Sequence, residues 1–381
     1  MRRPLAFDSL ALVTKNQWLR GGVAFSMLLL AGCVSLLGDF VAGETRPTDD
    51  DASTSDAEPS PSDEGGASGD AGVVDARSPD GGVDGGVDAA RVCNHTAPFQ
   101  SVVAVAGVNT ADHERDPFLT SDELTLYFSR GAGSSPAEIN ASRDLYVTRR
   151  PDRASPFAIP EVLAPLKSGV SDVTLSLDPK GKAALFGRDI HVFADGGANP
   201  NHGIYRADWD GGAKGFSNVR KDPVAYGGNL LGAASVGQVT RNIYYATGPH
   251  LAVNEWNAVN SLYEPPRLLD TPGADAAVNL QVPPDLYTAS QAWPSVSRDE
   301  LALYFTRVTQ PPGYSRGAFL FVAQRKSTKD AFGPAHFFQE LSPVGIAGNY
   351  AAWISDDACR IYFTSPRTGT VGGDDLWMAS R

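Results

Sequence analysis

This chain of 381 residues is poor in the groups that usually announce chemistry: three cysteines, three methionines and six histidines. Three cysteines are too few for a disulfide scaffold. The histidines (His95, His113, His191, His202, His250 and His336) show no metal-ligand spacing, and no His-Glu-x-x-His or Gly-x-Ser-x-Gly motif occurs. No metal and no other cofactor is therefore expected. Also missing is any apolar run long enough to span a bilayer. Basic surplus is absent as well. The formal net charge is -12, which argues against nucleic acid as a partner, since phosphate binding needs a basic face. What is plentiful is glycine (39) and proline (27), alongside 42% hydrophobic residues, enough to bury a sizeable core.

The first segment carries Arg2, Arg3, Lys15 and Arg20, then a short apolar stretch from Val23 to Leu30, closing on Leu30-Ala31-Gly32-Cys33. Basic residues, a short apolar core and small residues mark an export signal over residues 1–32. Leu-Ala-Gly-Cys resembles the lipobox of bacterial lipoproteins. That resemblance implies cleavage before Cys33 and acylation of its thiol. Val34, where aspartate often marks inner-membrane retention, tilts the expected address to the outer membrane, on its periplasmic or surface side.

From Glu44 to Arg91 the composition changes. Thirteen acidic residues face three basic ones, with no Leu, Ile, Met or aromatic side chain. Such a segment cannot bury enough surface to offset its ordering entropy, so residues 33–92 are expected to be a disordered, self-repelling tether. The strong acidity belongs to this tether, because the remainder from Val92 onward carries a net of only -4.

Residues 93–381 repeat themselves. An aromatic-rich run recurs as Leu126-Tyr127-Phe128, Ala184-Leu185-Phe186, Ile243-Tyr244-Tyr245, Leu303-Tyr304-Phe305 and Ile361-Tyr362-Phe363. The spacing is 58 to 60 residues. A second marker follows each time: Asp144-Leu145-Tyr146, Gly203-Ile204-Tyr205, Ser261-Leu262-Tyr263, Phe319-Leu320-Phe321 and Asp375-Leu376-Trp377. Phe99, Phe157, Phe216 and Phe332 form a third marker, absent where Pro265-Pro266-Arg267 stands. Short β-rich runs at a fixed period predict an all-β, five-bladed propeller with four strands per blade. The Tyr-Phe run is the second strand, the Leu-Tyr run the third, and the Phe-marked run the outermost.

These repeats resemble the WD40-like repeats of the TolB-type β-propeller family. The run Asp116-Pro117-Phe118-Leu119-Thr120-Ser121-Asp122-Glu123 and the last repeat's Gly372-Gly373-Asp374-Asp375-Leu376-Trp377 carry the likeness. The family's Ser-Pro-Asp-Gly turn is degenerate in all five units. With five units rather than six and no extra N-terminal domain, a role in the Tol system does not carry over.

The chain ends at a third strand and begins, around Pro98 to Val105, at an outermost one. The two termini should therefore complete one sheet and close the ring. Cys33 being taken by lipid, an oxidising compartment leaves Cys93 and Cys359 to pair across that closure.

Asp112-His113-Glu114-Arg115-Asp116 is the densest ionisable run. It is placed in the loop leading into the first inner strand, with solvated charges as its expected state. Trp293 and Trp353 stand at inner-strand starts, where they pack between blades or offer an aromatic platform. Together these seven residues make the candidate binding face. Some five-bladed propeller glycosidases carry an Arg-Asp-Pro motif, which Arg115-Asp116-Pro117 matches, but no second carboxyl at a catalytic separation can be named from sequence. The expected function is a monomeric, lipid-anchored, non-catalytic binding or scaffold module for an envelope protein or glycan. The alternative is a carbohydrate-active, glycosidase-like propeller. Residues 271–291 are expected to form a long insertion on the face of Asp112 to Asp116.

Overall fold

The computed structural model describes residues 93–189, 202–224, 234–247, 250–269, 291–342 and 348–381. Cys33, the tether and nearly all of the 271–291 insertion lie outside these. Among the described residues the strands form five four-stranded antiparallel sheets and one small hairpin, arranged as a five-bladed propeller.

The chain opens with β1 (Gln100–Ala104). Blade 1 holds β2 (His113–Leu119), β3 (Thr125–Gly131), β4 (Asp144–Arg149) and β5 (Glu161–Val162). Blade 2 holds β6 (Asp172–Asp178), β7 (Ala183–Arg188), β8 (Gly203–Trp209) and β9 (Phe216–Lys221). Blade 3 comprises β10 (Ser235–Val236), β11 (Ile243–Thr247) and β12 (His250–Asn254). A hairpin of β13 (Trp256–Asn257) and β14 (Leu262–Tyr263) comes next, and β15 (Arg267–Leu268) completes the blade. Blade 4 holds β16 (Gln291–Val296), β17 (Ala302–Thr309), β18 (Gly317–Gln324) and β19 (His336–Phe337). Blade 5 holds β20 (Tyr350–Ile354), β21 (Arg360–Ser365) and β22 (Asp375–Ser380), with β1 outermost.

Ring closure is thus between the two chain ends: β1 pairs antiparallel with β22, Ala104 opposite Trp377. Cys93 and Cys359 are joined by a disulfide, binding the segment ahead of β1 to the β20–β21 turn. Arg381 reinforces the join by donating to the carbonyls of His95 and Ala97.

One expectation fails in blade 3. Ser261-Leu262-Tyr263-Glu264 is not the third strand; β12 is, and Leu262–Tyr263 pairs instead with Trp256–Asn257. The reason is steric economy. β11 turns back into β12 almost at once, Thr247 lying opposite His250, so the aromatic marker downstream is left over and folds on itself.

The core lies between blades. One apolar cluster fills each interface, such as Val173, Leu185 and Ile204 of blade 2 against Val236, Ile243 and Tyr245 of blade 3. Removing this area from water supplies the main driving force.

Polar seams run along the same interfaces. Arg150, Arg325 and Arg381 occupy one repeat position just past the third strand. Each donates Nη2 to the tyrosine hydroxyl of the preceding blade, at 3.0 Å in each case, reaching Tyr362, Tyr244 and Tyr304. Each also donates Nε to a turn carbonyl, of Glu123, Glu300 and Ala358, and covers the ring of Phe157, Phe332 and Phe99. These turn residues have left-handed backbones, with φ of 61°, 58° and 58°. That backbone region is the one glycine adopts most readily. Here two of the three are glutamates, and they are used. Glu123 accepts from Arg360 and Tyr362 of blade 5, and Glu300 accepts from the backbone of Val239 and Thr240 of blade 3. Only glycine at 237 leaves room for Glu300, whose carboxylate would lie 2.3 Å from any Cβ there.

Candidate functional site

The innermost strands carry a shared distortion. In β2 the register shifts between Arg115 and Phe118, and equivalent bulges interrupt β6, β16 and β20. The bulged residues Asp116, Thr174, Trp293 and Ala351 have φ of 59°, 45°, 48° and 52°. For β-branched or bulky residues this region is strained, at roughly 1–3 kcal/mol each. Cross-blade hydrogen bonds hold the geometry. Asp116 N–H donates to Thr364 Oγ1 at 3.2 Å, and Ala351 N–H to Thr306 Oγ1 at 3.2 Å.

At this level the ring axis narrows to a cavity of about 40 Å3, walled by Asp116, Phe118, Thr174, Trp293 and Trp353 among others. That is room for water and not for a sugar ring, so a larger ligand would meet this wall from the mouth. Trp353 is buried and packs edge-on against Tyr362, 5.8 Å between ring centroids. Trp293 is half-buried and lies 5.2 Å from the Tyr350 ring, which Arg115 covers on its way to Asp374.

The ionisable run is not a solvated loop, and that expectation is corrected. His113 to Asp116 are part of β2, and His113, Glu114 and Asp116 are buried. Burial is possible because partners arrive from elsewhere. Glu114 accepts from Arg130 Nε at 2.7 Å and from Thr110 Oγ1 at 2.6 Å, so it is a structural strut. The same strut recurs in blade 2, where Asp172 accepts from Arg188 at 2.7 Å. Burial raises the Asp172 carboxyl, but hydrogen bonds from Arg188 and Ser168 occupy both its oxygens. Asp112 stands aside, half-exposed, its N–H donating to Thr110 Oγ1.

Arg115 and Asp116 belong to a second, denser cluster. Arg115 donates Nε to Asp374 Oδ2 at 2.8 Å and also contacts it through Nη2. His113 Nδ1 lies 3.3 Å from the same oxygen. Burial alone would raise the Asp374 carboxyl, but Arg115, His113 and Tyr350 outweigh it and hold Asp374 well below the usual carboxylate range. Asp374 is therefore a fixed anion and no proton donor at neutral pH. Burial pushes the Tyr350 phenol well above its ordinary value. Asp116 Oδ2 accepts from Ser129 Oγ at 2.7 Å and from Arg143 Nη1 at 3.3 Å. Its Oδ1 is buried without a hydrogen-bond partner, as is Arg143 Nε. The idle oxygen is the unpartnered acceptor of the cluster, on the carboxylate that Arg143 holds.

Sequence reasoning missed Arg143 and Asp374. Arg143 is delivered by the short helix α1 (Pro136–Ala141), whose start is fixed by a capping box between Ser135 and Glu138. Asp374 is delivered by Gly372-Gly373. A Cβ on Gly372 would lie 1.8 Å from the Asp112 carbonyl oxygen, and one on Gly373 2.0 Å from the His113 ring. The paired glycines before Asp374 were the available signal of a close crossing. Among the described residues no three His, Cys, Asp or Glu side chains are grouped to hold a metal.

No protein-family model matches the chain, and no curated protein matches it. Solved structures do resemble it in fold. A thermostable family-43 glycoside hydrolase shares 15% identity at a TM-score of 0.43, covering 72% of this chain and 91% of that one. The GH43 endo-arabinanase from Bacillus licheniformis shares 10% at 0.45, covering 72% and 96%. A luciferin-regenerating enzyme shares 10% at 0.39, covering 74% and 95%. None of these is a TolB-type propeller. The expectation of a non-catalytic module, and of no enzyme, is corrected here, because the neighbours include several glycoside hydrolases. At such identities the likeness is one of fold, and any chemistry has to come from the chain's own residues.

Proposed function

We propose that this propeller is a carbohydrate-active, glycosidase-like protein whose reactive carboxylate is Asp116. The observation that carries the reading is the free Oδ1 of Asp116, on a strained bulge in the wall of the ring axis. Strain and an unpartnered carboxyl oxygen are retained where a fold serves chemistry rather than stability. Ser129 and Arg143 fix the carboxylate, leaving Oδ1 to accept a proton from a water held in the axial cavity. Arg115, neutralised by Asp374, orients that site without competing for the proton. The neighbours include an endo-arabinanase and a β-xylosidase/α-arabinofuranosidase, so arabinan and xylan are the first substrates to test. The test is release of reducing sugar from both polysaccharides by wild type and Asp116→Asn. Loss of a general base lowers turnover by about 10²–10⁴. Equal turnover in both, or none in wild type across a polysaccharide panel, overturns the assignment.

The address is part of the same proposal. Export and acylation at Cys33 would hold the propeller at the outer membrane on an acidic tether, as a monomer facing envelope glycans. The lipobox supports this, and so does the Cys93–Cys359 disulfide, which suits an oxidising compartment. Labelling with a clickable palmitate analogue should be lost in Cys33→Ala.

A further inference from the structure

Three of the seams end on a guanidinium, a tyrosine hydroxyl and a phenylalanine ring. Between blades 2 and 3 both halves of the pair are absent together, since Leu185 replaces the tyrosine and Trp256 the arginine. The seam between blades 1 and 2 breaks this rule. It keeps the tyrosine, Tyr127, and lacks the arginine, for Trp209 stands at that position. Phe216 is still in place, edge-on to Tyr127 with 6.1 Å between ring centroids. The Tyr127 side chain is 99% buried by the ring packing around it, its exposure being 1%, and its hydroxyl has no hydrogen-bond partner. An unpaired buried hydroxyl weighs against folding unless the site uses it.

A cavity of about 370 Å3 lies at this seam, walled by Tyr127, Trp209, Thr120, Asp122 and Arg149 among others. That volume is at the lower end of small-molecule sites, roughly 300–1,000 Å3. Arg149 is exposed, and among the described residues its side chain makes no ion pair or hydrogen bond. The indole of Trp209 is tied by Nε1 to the Gly212 carbonyl at 2.8 Å, which fixes its ring plane beside the cavity. Small residues, Gly211 and Ala213, border it and leave that ring accessible.

We infer that this seam pocket binds an acidic sugar, a hexuronate residue. The apolar face of the pyranose stacks on Trp209 and its carboxylate pairs with Arg149, with Tyr127 in the pocket wall. Asp122 offers the acceptor for a hydroxyl; its carboxylate, though partly desolvated, is kept charged by bonds from Thr120 and Leu124. The site is independent of the Asp116 reading. It sits by the β2–β3 turn, whereas the Arg115–Asp374 cluster is at the opposite end of β2.

The test is calorimetric titration of the full chain with D-glucuronate and D-galacturonate, with D-glucose and D-galactose as neutral counterparts. Saturable binding of an uronate is expected, with at least tenfold weaker binding of its neutral sugar. Arg149→Gln, on an exposed side chain, should lose about tenfold in affinity and keep the fold. Trp209→Arg supplies the donor that the other seams possess. It should satisfy Tyr127, close the pocket and abolish binding, with the unfolding midpoint unchanged or raised. Uronate binding that persists in Trp209→Arg, equal binding of the neutral sugars, or no saturable binding in wild type each overturns the inference.

Discussion

The seams between blades and the lining of the ring axis are built from the same blades, yet, the idle Tyr127 hydroxyl aside, they treat buried polar groups in opposite ways. At the seams nearly every charge is spent. Glu300 accepts four contacts, from Val239, Thr240 (twice) and Arg325, and Glu123 is shared by Arg360 and Tyr362. Along the axis polar atoms stand idle: Asp116 Oδ1 and Thr174 Oγ1 have no partner, and both residues have left-handed backbones. Stability is vested in the seams. That lets the axis tolerate strain and an unsatisfied carboxylate, the condition expected of a site rather than a scaffold.

Breaking a seam should have the largest effect. Glu300→Ala leaves Arg325 buried beside unpaired backbone N–H groups, and should lower unfolding free energy by about 3–5 kcal/mol in urea titration. A loss under about 1 kcal/mol would erase the contrast between seam and axis. Cutting the covalent closure comes next. Cys93→Ser or Cys359→Ser should cost about 2–4 kcal/mol, and reductant should produce the same loss in wild type only.

Acid should weaken the Arg115–Asp374 cluster next. The Asp374 pKa is depressed in the folded state, so its contribution is present above the ordinary carboxylate range. It is lost as pH falls from about 4 towards the depressed folded value. Urea midpoints measured from pH 7 to pH 3 should fall in wild type and fall less steeply in Asp374→Asn, which starts lower because Arg115 is left unpaired. Parallel slopes would mean that the carboxylates of the seams, not Asp374, carry the acid response. The smallest effect has the opposite sign. Thr174→Gly removes a β-branched residue from φ 45° together with its idle hydroxyl, and should stabilise by about 1 kcal/mol. Destabilisation there would show that the axis is less strained than its backbone indicates.

The period of the repeats was legible because each blade needs one aromatic run in its second strand, as at Tyr127 and Tyr304. Closure was legible because the termini supply complementary strands. Blade 3 was not. Its true third strand, His250–Asn254, carries no aromatic residue, while the hairpin at Leu262–Tyr263 imitates the marker. The candidate site was half legible. The Arg115-Asp116-Pro117 run marks the place, but its burial depends on Arg143 and Asp374, remote in sequence and brought in by a capped helix and a glycine pair. Local spacing holds no trace of such long-range pairing. The seam arginines were overlooked for a simpler reason: each faces the tyrosine of a different repeat, so the pairing shows only once the blades are set in a ring.

The disulfide has a mechanical consequence. A pull on the chain ahead of Cys93 would, without it, peel β1 from β22 one hydrogen bond at a time, the weakest direction in which to load a strand pair. With Cys93 bonded to Cys359, force enters at the β20–β21 turn and bypasses β1 altogether. Shear on a copy held by the chain ahead of Cys93 would then be borne by a covalent bond and an inner hairpin, and the ring would stay shut under a load that unzips its unbridged counterpart.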